Sequence, residues 1–93
     1  MNKADEIIAA VKLLDEEHVL GYYSCFDAYN PDIRVHVALT NPDALKGVDG
    51  VKLCADGRTL VYWHDGAEIT CYLNAAEAEQ WMKEYPETEV MNC

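Results

Sequence analysis

Two Asp-Gly pairs, Asp56-Gly57 and Asp65-Gly66, divide the stretch from Val51 to Leu73 into three short runs of strand formers, and no other feature of the 93 residues limits the fold as tightly. Tight two-residue turns need positive φ, which Gly adopts freely and Asp tolerates, so the stretch predicts a three-stranded antiparallel meander. Turns at the two pairs set Ala55 opposite Arg58 and His64 opposite Ala67. Pairing outward from them puts Val51, Leu53, Ala55, Leu60, Tyr62, Ala67, Ile69, Cys71 and Leu73 on one face, the predicted core face. The other face carries Lys52, Cys54, Thr59, Val61, Trp63, Glu68, Thr70 and Tyr72 and is expected to point outward.

The flanking segments supply material to cover an apolar sheet face. From Asn2 to about Glu17, Ala4, Ile7, Ile8, Val11 and Leu14 recur at helical spacing, and Asn2 with Asp5 three residues on offers an N-terminal cap. Val19 to Phe26 is rich in strand formers. In Ile33 to Thr40, apolar Ile33, Val35, Val37 and Leu39 alternate with Arg34, His36, Ala38 and Thr40, the pattern of a half-buried strand. Asn41-Pro42 ahead of Asp43-Ala44-Leu45-Lys46-Gly47 predicts one short helical turn. Asn74, with Glu77 at the third helical position and Pro86 beyond Tyr85, frames a second helix whose stripe is Ala75, Ala78, Trp81, Met82 and Tyr85. The expected fold is a two-layer α+β domain over residues 1–86: an N-terminal helix, about five antiparallel strands ending in the meander, and a C-terminal helix. Residues 87–93 read as a flexible acidic tail.

Charge narrows the classes of partner. The formal net charge is -10, and residues 61–93 alone carry -6. Such a field repels nucleic acid and anionic membrane and attracts basic surfaces, so direct nucleic-acid or membrane binding is not expected. The first residues have an acidic pair where a secretory signal is basic, and no run reaches the length of a membrane helix. The expected location is therefore cytoplasmic. There, Cys25, Cys54, Cys71 and Cys93, widely spaced and without a C-x-x-C, are expected as reduced thiols.

No metal, cofactor or catalytic residue is predicted. His18, His36 and His64 match no metal-ligand spacing, and the chain lacks a phosphate-cradling Gly-rich loop and a G-x-S-x-G. A Cys54 nucleophile with His36 as its base is the one pairing that the alternation allows, and it requires an activated thiol.

The binding candidates are acidic and aromatic. Glu77 and Glu84 share a helix face, Asp65 and Glu68 lie near a hairpin tip, and Glu87 and Glu89 follow the helix. Carboxylates so displayed can imitate a line of phosphates and occupy the groove of a protein that grips nucleic acid through Lys and Arg; the plainer alternative is a solvated surface that keeps the chain soluble. Val61, Trp63 and Tyr72 on the outward sheet face suggest apolar anchors for a protein partner or a homodimer.

In size, charge and architecture the chain resembles the small inhibitor proteins of phages and mobile elements, some anti-CRISPR proteins among them, a likeness that transfers no individual residue. It implies a non-enzymatic inhibitor that occupies the basic surface of a larger, nucleic-acid-binding protein. The alternative is a structural or accessory homo-oligomer that uses the outward sheet face.

Overall fold

The meander forms in the register that the Asp-Gly turns impose. A computed structural model of the protein describes residues 2–16 and 35–93; the strand expected over residues 19–26 lies outside them. Strands β2 (Lys52–Cys54), β3 (Thr59–His64) and β4 (Ala67–Tyr72) pair antiparallel, with Leu53 opposite Leu60, Tyr62 opposite Ile69 and His64 opposite Ala67. The β3–β4 turn needs two successive residues at positive φ, and Asp65 (51°) and Gly66 (74°) supply them. The β2–β3 link is longer than expected. Residues 55–58 form it, and the Asp56 carboxylate organises it by accepting the N–H groups of Arg58 and Thr59 and the Thr59 hydroxyl at 2.8–3.0 Å. These bonds, the Arg58 N–H foremost, hold the Asp56 carboxyl below its usual pKa.

Two helices cover one face of this sheet, as the periodicity predicts. Helix α1 (Lys3–Glu16) is capped by Asn2, whose side-chain oxygen accepts the Asp5 N–H at 2.7 Å. It buries Ala4 and Ile8 completely. Helix α2 (Ala75–Glu84) contributes Trp81, and the short 3-10 helix Asp43–Leu45 contributes Leu45. These pack with Val51, Leu53, Leu60, Tyr62, Ala67, Ile69, Cys71 and Leu73 in one core. Each fully buried aliphatic side chain contributes about 1.5–3 kcal/mol. Ala55, assigned to this face, is instead exposed in the β2–β3 link.

Strand direction departs from the antiparallel expectation. The sheet order is β1-β4-β3-β2-β5, and both outer pairings are parallel. Strand β1 (Val35–Leu39) lies beside β4, with Val35 opposite Ala67. Strand β5 (Glu89–Met91) lies beside β2, with Leu53 opposite Val90. The reason is connectivity. Helix α2 carries the chain back along the sheet, so β5 must run in the direction of β4, and hence of β2. The segment read as a flexible tail therefore supplies an edge strand.

The second face of the sheet is not the open surface that alternation suggests. Cys54, Val61 and Glu68 have no solvent exposure, and Thr59 and Thr70 are nearly buried. Trp63 is half-buried, and Tyr72 is 67% exposed. Cys54 is also no thiol: it forms a disulfide with Cys93, which corrects the expectation of four reduced cysteines. Among the described residues Cys71 is the free cysteine, and burial, assisted by the carboxylates of Glu77 and Asp43, pushes its pKa up.

Candidate functional site

Glu77, Glu84, Glu87 and Glu89 are positioned by α2 and the turn that follows it. Asn74 and Glu77 close a capping box: the Asn74 side chain accepts the Glu77 N–H at 2.8 Å, and the Glu77 carboxylate accepts the Asn74 N–H at 3.0 Å. At the far end of α2 the Trp81 indole N–H donates to the Thr88 hydroxyl at 2.9 Å, and that hydroxyl donates to the Tyr85 carbonyl at 2.7 Å. The rings of Trp81 and Tyr85 sit 4.5 Å apart. This knot of side chains turns the chain at Pro86 and aims Glu87 and Glu89 back along the sheet edge.

Two clefts flank the helix. One, of about 530 Å3, separates the loop before β2 from the end of α2 and carries Asp49, Glu84, Glu87 and Glu89, with Lys52 on its wall. The other, of about 440 Å3, separates α2 from the residues around the 3-10 helix and carries Asp43, Glu77 and Glu84, with Lys46. Trp81 and Glu84 border both.

The six carboxylates singled out from the sequence thus divide by environment. Glu84 and Glu87 are exposed at the first cleft; Glu84 accepts a hydrogen bond from Gln80 at 2.7 Å, and neither has a cationic partner among the described residues. Glu89 reaches the same cleft with its charge offset by Lys52 at 2.9 Å. Glu77 is engaged in the capping box. Asp65 sits apart in the β3–β4 turn and pairs with Lys12 of α1 at 2.8 Å, and the lysine keeps its carboxyl below the usual range. Glu68 is fully buried, its carboxyl accepting the Trp63 indole N–H, so it cannot meet a partner's surface. Among the proposed apolar anchors only Tyr72 is exposed, while Val61 is fully buried and Trp63 is held by Glu68.

Residues outside the sequence-derived set complete the site. Asp49 joins Glu84 and Glu87 at the first cleft, and Trp81 and Tyr85 border it. Asp49 stands in a loop, where no periodicity marks it. Trp81 is legible as a core position but not as the border of a cleft.

The Cys54 and His36 pairing has no thiol, because Cys54 is bridged. Instead His36 Nε2 shares a hydrogen bond of 2.7 Å with the Thr70 hydroxyl and stands 3.9 Å from the Glu68 carboxyl. Among the described residues no three His, Cys, Asp or Glu side chains converge as a metal site, and no described helix is long and apolar enough to cross a membrane. Comparison of the chain with family models, curated proteins and solved structures finds no match.

Proposed function

We propose that this chain is a non-enzymatic, cytoplasmic binding protein that inhibits a larger protein by occupying its basic, nucleic-acid-binding surface. The observation that carries the reading is the pair Glu84 and Glu87: two exposed carboxylates without cationic partners among the described residues, beside Asp49 at one cleft bordered by Trp81 and Tyr85. Lys and Arg side chains that normally hold phosphates would find carboxylates fixed by a helix and a turn, and a preorganised set loses little entropy on binding. The aromatic border adds apolar area at the centre of the contact. In this reading the binding set is Asp49, Glu84, Glu87 and Glu89, with Glu77 at its margin.

A homo-oligomer built on the second sheet face has less support, since among the described residues Tyr72 is the one strongly exposed aromatic there. The test is a low-salt pull-down from host lysate, comparing wild type with a folded variant carrying Asp49→Asn, Glu84→Gln and Glu87→Gln. The proposal holds if wild type retains a basic nucleic-acid-binding protein that the variant loses and that added DNA or RNA displaces. Retention of the same proteins by both, or of none by wild type, overturns it.

A further inference from the structure

The edge strand that completes the acidic cleft is held mainly by one covalent bond. Strand β5 has three residues and pairs with one neighbour, Lys52 opposite Glu89, Leu53 opposite Val90 and Cys54 opposite Met91. Glu89 and Val90 are exposed, Val90 at 59%, and Met91 is only half-buried. Its one ion pair among the described residues, Glu89 with Lys52, lies at the surface, where such pairs contribute little. A strand this short that buries so little apolar surface does not offset its own ordering entropy. What ties it down is the bridge from exposed Cys93 to fully buried Cys54 at the end of β2, 39 positions apart in sequence.

The other anchor lies one residue before the strand. Thr88 bonds to the Trp81 indole and the Tyr85 carbonyl, and neither contact depends on the disulfide. Loss of the bridge therefore frees the chain beyond Thr88 and leaves α2 and Trp81 in place. It has two effects at once. Glu89 leaves the cleft wall, and β2 becomes an edge with unpaired backbone groups.

We propose that Cys54–Cys93 is a thiol-operated latch: oxidised, it seats β5 and completes the acidic cleft; reduced, it releases β5 and uncovers the edge of β2. The reductant is a dithiol. One of its thiolates attacks Cys93 Sγ, forming a mixed disulfide and expelling Cys54 as a thiolate, which takes up a proton. The second thiol of the reductant then attacks its own mixed-disulfide sulfur and expels Cys93. Two electrons and two protons pass to the protein, and the dithiol leaves as its disulfide. Attack at Cys93 is favoured by access, since Cys54 has no exposed surface. Only the consequence for partner binding rests on the function proposed above; the latch itself does not.

The test is hydrogen exchange on the full chain, with free thiols blocked by iodoacetamide, before and after treatment with dithiothreitol. Subsequent labelling with N-ethylmaleimide verifies that Cys54 and Cys93 have been reduced. The expected result is that the amides of Glu89–Met91 lose protection at least ten-fold while β3 and β4 stay protected. Cys93→Ser should reproduce that pattern without reductant. A β5 that stays protected after reduction overturns the latch. So does loss of protection in all strands together, which would make the bridge a support of the whole fold. Neither readout requires a binding partner, so failure of the latch and failure of the inhibitor reading are separable.

Discussion

Trp63 and Glu68 are register partners on β3 and β4, and the indole N–H donates to the Glu68 carboxyl at 2.5 Å on a sheet face where the glutamate has no solvent exposure. An acidic side chain that the sequence offers to a partner is thus part of the interior. Its burial is tolerable because the carboxyl is hydrogen-bonded.

Trp63→Phe keeps an aromatic ring and deletes that donor. The variant should be less stable by about 0.5–1.5 kcal/mol, the usual net contribution of one intramolecular hydrogen bond. Urea unfolding followed by circular dichroism measures it, and a midpoint equal to that of wild type would show that the Trp63–Glu68 bond adds nothing net.

Tyr62 gives the fold an alkaline limit. Its hydroxyl donates to Asp5 at 2.6 Å, joining the sheet to α1. Burial, seconded by that hydrogen bond, raises the phenol pKa above its ordinary value of 10.0. The folded state thus favours the protonated phenol more than the unfolded state does. This stabilisation is complete below about pH 10 and is lost as pH rises through the higher folded-state value. Tyr62→Phe should cost about 1 kcal/mol at neutral pH and should flatten the fall of stability above pH 10. Unfolding midpoints across an alkaline pH series test this, and parallel curves for the two proteins would refute it.

How much of this was legible depended on sequence distance. The meander register was readable because Asp56-Gly57 and Asp65-Gly66 leave few ways to pair adjacent runs, and α2 because Asn74, Glu77 and Pro86 mark its ends. The directions of β1 and β5 were not, since each joins a strand remote in sequence, and no local pattern states which edge a crossover reaches. Nor was the bridge: Cys93 follows a segment without periodicity, and nothing near it points to Cys54. Alternation assigned Val61 and Glu68 to the correct face of the sheet but carried no information on whether that face is covered. The acidic site was half legible for a similar reason. Helical spacing placed Glu77 and Glu84 together, but only three-dimensional packing shows Glu77 engaged as a cap and Asp49 lining the same cleft as Glu84.

The sheet order also implies an order of events during folding. Its centre is a meander closed by short links, whereas β1 reaches β4 only after a long excursion of chain. Closing a long loop has a larger entropic cost, so the central hairpins should form in the transition state and the β1 edge after it. Stopped-flow folding would show this as slowed folding for Ile69→Val in β4 and accelerated unfolding alone for Val35→Ala in β1; equal effects of both on folding would contradict it. On that order the meander is the template on which the parallel β1 edge is laid down.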